Sequence, residues 1–560
     1  MTTSERPVDA LSDSFVEEYA TLDPVSATYM GLPGHEHLLT DLSPEGFDAR
    51  EELARRANAA VRAATPSDAR EQAAKDAFLE RTDLQLERAD ARLPRYRISV
   101  IVSELHSVRS VFDLMDTSTE QGWSDIDSRL AAVPATLDGY KRTLLDEAGR
   151  SNVAPARQVV EIAGQVRSWT GQTGTNPSVF TSLVETAPDG SLKEQLRRHA
   201  DDATRAFGEA ADFLMEELAP HAEPSDAVGR EHYGLESRYF LGAEIDLDET
   251  YAWGWEELKR IEDEMARVAD KIVPGGSVAD AVAALDADPT RNLPSKEAFR
   301  DWMQQLADET VNDLADVHFD IPPPVRRIEC MIAPTTDGGV YYTAPSEDFS
   351  RPGRMWWSVP EENTSFSTWR EVTTVYHEGV PGHHLQVGQT VSQKELLNRF
   401  LRTMCWVSGS GEGWALYAER LMDDLGYLDD PGNKLGMLDA QAFRAARVVV
   451  DIGMHLELEI PPDNPWGFHP GRPWIPELGF VFMREHTRVS DAELRFEVNR
   501  YLGWPGQAPA YKVGERLWLE AREATKARAG SSFDLKAFHT AALNLGSIGL
   551  DPLTAALARL

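Results

Sequence analysis

The spacing of apolar residues along the chain predicts a mainly helical protein. Between residues 67 and 93, strong helix-forming residues carry apolar side chains three or four positions apart, which is typical of an amphipathic helix. The same spacing recurs through the first half and returns after residue 366. The predicted helices span about residues 67–93, 126–148, 156–170, 191–218, 247–273, 366–379, 382–394, 398–425, 436–458, 475–487, 491–502 and 509–527.

The pattern changes near residue 320. The stretch from 321 to 360 is rich in proline, glycine, aromatic and β-branched residues, which predicts short strands joined by turns, with strands at 340–343 and 355–358. We therefore divide the chain into a helical N-terminal half, 1–320, and a half that carries a small β-sheet and the candidate site, 321–560. The expected fold is one large helical body with a deep cleft, and the small sheet lies beside the helix that carries the candidate ligands.

Composition narrows the classes of partner. The chain has 560 residues, and its 92 acidic and 56 basic side chains give a net charge of -36. Such a charge repels nucleic-acid phosphates and anionic membranes, so we expect neither as a partner.

The first residues lack the basic and apolar segments of a signal peptide. No apolar run reaches the roughly 18 residues of a membrane span. The two cysteines, Cys330 and Cys405, cannot build a disulfide framework. We expect a cytoplasmic protein.

The candidate chemistry begins with "HEGVPGHH", residues 377–384. In many zinc peptidases a helix carries two histidines four residues apart, with a glutamate beside the first as general base. His377 and Glu378 match the first half of that pattern, but the next histidines are His383 and His384. An unbroken helix would separate His377 from His383 by roughly 9 Å along its axis.

A break in the helix resolves this spacing. Pro381 removes a backbone donor, and Gly382 adopts dihedral angles that other residues avoid. We expect a bulge of two residues that returns His383 to His377, with His384 as the alternative second ligand. The alternative for the whole stretch is a helix end followed by a turn with surface histidines.

A third ligand is available at the start of a later predicted helix. Glu412 follows His383 by 29 residues, and zinc peptidases with a glutamate ligand take it from such a following helix. We predict that His377, His383 and Glu412 bind Zn²⁺. Glu419, two helical turns after Glu412, is interpreted as a surface charge rather than as a partner of a histidine ligand.

Polar residues on two further helices are candidates for the oxyanion. Tyr511 follows a loop rich in proline and glycine, and its hydroxyl would donate to a tetrahedral oxyanion. Arg447, Asp451 and His455 are spaced one turn apart on one face of an apolar helix. That stripe lines a cavity or forms a buried structural network, and core packing is the alternative for the tyrosine.

Four motifs together resemble a bacterial family, domain of unknown function 885: "HEGVPGHHLQ", "EGWALYAERL", "RAARVVVDIGMH" and "WPGQAPAYKVG". "DPVSATYMGLPGHEHLLTDLSPEG" is similar too, so the resemblance covers most of the chain. The family is grouped by fold with helical zinc metallopeptidases such as thimet oligopeptidase, neurolysin and angiotensin-converting enzyme. The resemblance implies His383 as second histidine, Glu412 as carboxylate ligand, Glu378 as base and Tyr511 as oxyanion donor. Pro509 departs from the leucine-like residue of the family.

These observations predict a zinc-dependent metallopeptidase that hydrolyses short peptides through a metal-activated water. Glu378 is the general base, and Tyr511, with His455 or Arg447, stabilises the oxyanion. The strand at 340–343 would pair with an extended substrate backbone. Two alternatives stay open: a zinc amidase acting on a non-peptide amide, and a metal-free binding protein on a peptidase-like scaffold.

Overall fold

The computed structural model describes residues 6–559, apart from residues 175, 334–338, 360–362 and 364. The protein is mainly α, as predicted, with 68% of its residues in helices and only small sheets. Within these described ranges, none of the helices combines the length and the apolar character that crossing a membrane requires.

The backbone packs as two compact units. The first comprises residues up to Thr65, Thr82–Val228 and Arg495–Pro505. The second comprises Pro66–Arg81, Gly229–Leu494 and the residues from Gly506 onward. This division follows the packing of the backbone. The predicted boundary at residue 320 follows a change in residue composition, and it stays a prediction.

Twenty-four α-helices account for most of the described chain. Those beginning before residue 229 are α1 (Pro7–Leu22), α2 (Pro24–Tyr29), α3 (Pro44–Ala63), α4 (Ala69–Asp90), α5 (Leu93–Tyr96), α6 (Glu104–Ser110), α7 (Glu120–Ala148), α8 (Ala156–Trp169), α9 (Val179–Glu185) and α10 (Ser191–Phe213). The others are α11 (Gly229–Leu241), α12 (Leu247–Ile272), α13 (Val278–Ala287), α14 (Lys296–Leu314), α15 (Thr368–Glu378), α16 (His383–Ser392), α17 (Arg399–Thr403), α18 (Ser408–Asp424), α19 (Pro431–His455), α20 (Pro476–His486), α21 (Asp491–Gly503), α22 (Ala510–Ala529), α23 (Leu535–Leu543) and α24 (Leu550–Arg559).

The strands form two small sheets. β1 (Asn292–Leu293) pairs antiparallel with β5 (Phe366–Ser367). In the larger sheet, β4 (Gly353–Trp357) lies between β2 (Ile328–Ile332), to which it is parallel, and β3 (Val340–Thr343), to which it is antiparallel. Met355 and Trp357 of β4 pack with Val375 of α15 in one apolar cluster. The predicted small sheet beside the His-Glu helix is thereby confirmed.

The core of the first unit forms where the amphipathic helices α7, α8 and α10 meet. Thr119 caps α7 by accepting the Gly122 N–H, and this cap starts the helix six residues before the predicted position. Trp123 and Tyr140 of α7 are buried in the same cluster as Phe207 of α10. Burial of one apolar face per helix is what stabilises these elements.

The second unit contains closely packed helix pairs. The pair α18 and α22 positions Glu412, a candidate metal ligand. A Cβ at Gly413 would lie 2.4 Å from the backbone of Gly514, and a Cβ at Gly514 would lie 2.2 Å from the Gly409 carbonyl. The two backbones therefore approach at glycines without side chains between them. This contact fixes Glu412, next to Gly413, relative to α22.

A buried ammonium holds α22 to two further helices. Lys512 is 2% exposed, and its Nζ donates to Glu515 Oε2 at 2.5 Å and to Gln441 Oε1 at 2.5 Å. It also lies 3.0 Å from Glu257 Oε1 of α12. The charge is paired and its donors are used, as burial of an ammonium requires.

Most predicted helices are observed within a few residues of their expected ends, but the prediction of one helix over 398–425 is wrong. The structure has α17 and α18 there, separated by residues 404–407. The Val407 N–H donates to the Ser547 carbonyl at 3.2 Å. This partner is distant in sequence, so local propensity does not reveal it.

Replacing Gly514 should test the glycine contact between α18 and α22. Gly514→Ala places a methyl group against the Gly409 backbone, so we expect a loss of about 1–3 kcal/mol in the free energy of unfolding. Gly234→Ala is the matched control, because no described atom outside its own helix turn lies within 4 Å of the added Cβ and alanine favours a helix. Urea unfolding measures both. Equal stability of Gly514→Ala and wild type would contradict the contact.

Candidate metal centre

The chain turns sharply between α15 and α16, at residues 379–382. The Gly382 N–H donates to the Tyr376 carbonyl at 3.0 Å, and the His384 N–H donates to the Gly379 carbonyl at 3.1 Å. A Cβ at Gly382 would lie 1.9 Å from the His377 carbonyl oxygen, so only glycine fits. Trp414 Nε1–H donates to the Pro381 carbonyl at 2.8 Å and ties this turn to α18.

The turn brings His377 and His383 together. Their ring centroids are 4.8 Å apart and the rings are nearly perpendicular, at 86°. Glu412 Oε2 of α18 lies 3.4 Å from His377 Nε2 and 3.3 Å from His383 Nε2. Three predicted ligand residues from three helices thus meet at one point.

The donor set of this cluster suits a zinc ion. The three ligand atoms lie within 4.8 Å of one another, and His377, His383 and Glu412 form the potential metal-binding group found among the described residues. Two imidazole nitrogens and one carboxylate oxygen are the ligands of many catalytic zinc sites, which keep a further position open.

Glu419 orients the first histidine, so its interpretation as a surface charge is wrong. It is 1% exposed, and its Oε1 accepts from His377 Nδ1–H at 2.8 Å. Its Oε2 accepts from the Thr373 hydroxyl at 2.5 Å. A carboxylate behind a ligating histidine fixes the ring and its tautomer, leaving Nε2 for a metal. The signal was present in the sequence, since Glu419 lies two turns from Glu412 on one helix.

His384 has a different task from His383. It is fully buried, and its Nε2–H donates to the Val325 carbonyl at 2.7 Å. Its Nδ1 accepts from the Tyr342 hydroxyl at 2.9 Å. Burial lowers the pKa of His384 to about 4, so the ring is neutral. Both nitrogens are occupied, and the cluster contains His383 instead.

The cluster favours positive charge between its members. Burial lowers the pKa of His377, but hydrogen bonds to Glu412 and Glu419 outweigh burial and raise the pKa to about 9. Burial raises the pKa of Glu412, but His383 and His377 bring it far below its usual range. Two ionised carboxylates around buried imidazoles provide the field that attracts a divalent cation.

Glu378 lies at the same place with free hydrogen-bonding capacity. It is 6% exposed, and its Oε2 has no hydrogen-bond partner within the described part of the chain. Burial raises its pKa, while the neighbouring His383 and His377 oppose that rise. A buried carboxyl group beside candidate metal ligands is the arrangement of a general base.

Tyr511 stands at the start of α22, one turn before the Gly514 contact with α18. The Arg447 guanidinium lies over its ring, 5.0 Å from the centroid. Gln507, one turn before Tyr511, donates to the Ser408 hydroxyl at 3.3 Å. Tyr511 and Glu412 therefore flank the same helix contact.

His455 is fully buried in a network with Asp451 and Tyr233. Asp451 Oδ2 accepts from the Tyr233 hydroxyl at 2.7 Å and from the Gly506 N–H at 2.9 Å. The ring of Tyr233 lies 5.6 Å from that of His455. These contacts hold the loop that precedes Tyr511. They agree with the alternative that Asp451 and His455 belong to a buried structural network.

Replacing Gly382 should separate the two histidines. Because the methyl group of Gly382→Ala overlaps the His377 carbonyl, we expect a loss of about 1–3 kcal/mol in stability and weakened zinc uptake. Gly388→Ala, in α16, should cost less, because the atoms nearest to its added Cβ belong to the Val325 side chain, at 2.7 Å, and not to the backbone. Urea unfolding and zinc content after dialysis measure both effects. Unchanged zinc uptake in Gly382→Ala would contradict the role of the turn.

The chain is similar to a bacterial protein family along nearly its whole length. The family model "Bacterial protein of unknown function (DUF885)" matches residues 24–557. No curated protein matches the chain. A crystal structure of "the putative lipoprotein from Colwellia psychrerythraea" has a TM-score of 0.84 and 22% identity, and the match covers 100% of this chain and 99% of that one.

A second solved structure, "a putative lipoprotein of unknown function from Shewanella oneidensis", has a TM-score of 0.73 and 16% identity, with 97% of this chain and 98% of that one covered. At such identities the two structures show the fold alone. The expected fold relation to zinc metallopeptidases and the cytoplasmic location stay predictions. The match over residues 24–557 places the chain in the DUF885 family of bacterial proteins of unknown function.

Proposed function

We propose that the protein is a zinc-dependent peptidase that acts on short peptides. The observation that carries the proposal is the convergence of His377, His383 and Glu412 within 4.8 Å, with the buried Glu378 beside them. Structural zinc sites use four protein ligands, whereas catalytic sites use three and leave room for water and substrate. The three-residue group found within the described ranges supports the catalytic class.

Bound Zn²⁺ supplies Lewis acidity that polarises a carbonyl and acidifies water. Glu378 takes the proton of the attacking water and passes it to the nitrogen of the leaving amine. Its Oε2 is suited to this task because no described residue competes for it. Glu419 and Thr373 keep His377 in the tautomer that presents Nε2.

Tyr511 donates its hydroxyl to the oxyanion of the tetrahedral transition state. Arg447 packs on the Tyr511 ring and limits its motion. His455 does not contact the substrate in this proposal. It packs against Tyr233, which donates to Asp451, and Asp451 holds Gly506 in the loop that leads to Tyr511.

The proposed substrate is an extended peptide that pairs with the edge of the three-stranded sheet. β3 is an edge strand in the described sheet, and strand addition at a sheet edge is a common way of binding an extended peptide. Tyr342 of β3 donates to His384, the neighbour of His383. The edge is therefore tied to the helix that carries a proposed ligand, which supports a peptide over other amides.

Zinc content should distinguish ligands from neighbours. We expect about one zinc per wild-type chain and loss of zinc in His377→Ala, His383→Ala and Glu412→Ala. His384→Ala should retain zinc, since both of its nitrogens have other partners. Glu419→Gln should weaken zinc affinity about 10–100-fold. Elemental analysis and competition with a chelator give these values.

Loss of zinc from His384→Ala, and not from His383→Ala, would move the second ligand by one residue. Wild type without zinc after reconstitution would contradict the proposal and favour a metal-free binding protein.

Glu378→Gln should separate catalysis from metal binding. Since the amide cannot accept the proton, we expect the hydrolysis rate of a peptide library, followed by mass spectrometry, to fall about 10²–10⁴-fold. Zinc content should remain that of wild type. Glu371→Gln, on the same helix and bonded to Trp357, is the control and should retain the rate within about twofold.

Full activity of Glu378→Gln would exclude Glu378 as the base. A zinc-loaded wild type that cleaves no peptide but cleaves a non-peptide amide would identify an amidase instead.

A further inference from the structure

Trp406 is an exposed aromatic side chain held on a fixed backbone. It lies between α17 and α18, and 46% of it is exposed. Its neighbours Cys405 and Val407 are 6% and 1% exposed. The Cys405 N–H donates to the Phe400 carbonyl at 2.9 Å, and the Val407 N–H donates to the Ser547 carbonyl. Among the tryptophans, all of which the structure describes, Trp406 is the exposed one.

The indole lies beside one proposed ligand, His383, and against Gly411, the neighbour of another. Its ring centroid lies 5.8 Å from that of His383, with the planes inclined at 57°. A Cβ at Gly411 would lie 2.4 Å from the indole ring atoms, so glycine provides the space that the ring occupies. Gly411 directly precedes Glu412. Trp406 is therefore a half-exposed apolar surface at the rim of the candidate metal centre.

We propose that Trp406 forms one wall of a substrate subsite for an aromatic side chain next to the scissile bond. The inference rests on the proposed function, since the subsite is defined by its distance from the metal ligands. A tryptophan offers a large contact area at low entropic cost when its backbone is fixed. Aromatic rings gain a further attraction from offset or edge-to-face contact with the indole.

Two hydroxamates that differ only by a phenyl group test this subsite. Phenylalanine hydroxamate and alanine hydroxamate both chelate zinc, and calorimetric titration of zinc-loaded wild type should show about tenfold tighter binding of the phenylalanine compound. In Trp406→Ala the preference should fall to about twofold, and in Trp406→Phe it should be intermediate. Phe496→Ala, which removes an aromatic side chain of similar exposure, 44%, should leave the preference unchanged.

Zinc content separates failure of the subsite from failure of the proposed function. Zinc-loaded wild type that binds both hydroxamates equally, or Trp406→Ala that keeps the wild-type preference, overturns the subsite while the metal centre stands. Wild type that holds no zinc and binds neither compound overturns both. Trp406→Phe retains an aromatic ring in the same place, so a preference retained there and lost in Trp406→Ala supports the subsite.

Discussion

The steric constraint at Gly382 is the feature on which the candidate centre depends. A side chain there would overlap the His377 carbonyl, and glycine lets the chain return within four residues of the end of α15. The same turn gives the two adjacent histidines different contacts. His383 faces His377 and Glu412, while His384 is bonded to Val325 and Tyr342. The turn at Gly382 therefore directs His383 to the proposed ligand set and His384 to the sheet.

Charge compensation explains why so many ionisable groups are buried there. Glu419 and Glu412 contact His377 on its two nitrogens, so the buried imidazole and the carboxylates stabilise one another. Thr373 satisfies the second oxygen of Glu419. Glu378 differs because its Oε2 lacks a partner in the described structure. The unequal satisfaction of these carboxylates separates Glu378, the proposed general base, from the carboxylates that contact the histidines.

The sequence predicts most helices of this chain and the return of His383 to His377, because apolar periodicity and the helix break at 379–382 are local signals. Glu412 is predicted from its distance after His383, which matches zinc peptidases with a glutamate ligand. It misses what depends on distant partners. Glu419 becomes buried only when α18 packs on α15, and the break before Trp406 depends on Ser547. Each packing unit also combines segments that are far apart in sequence, and the change of composition near residue 320 does not reveal this.

Helix α18 combines close packing against its neighbours with the proposed metal ligand Glu412. Glycine costs a helix about 1 kcal/mol at each position, yet the first turns of α18 contain Gly409, Gly411 and Gly413. Gly413 admits the backbone of α22, Gly409 lies against Leu241 and Leu550, and Gly411 admits the ring of Trp406. Gly411 and Gly413, which flank Glu412, therefore make room for the Trp406 ring and for α22. The weak helical propensity of this segment is offset by packing, and the same close packing holds the proposed ligand in place.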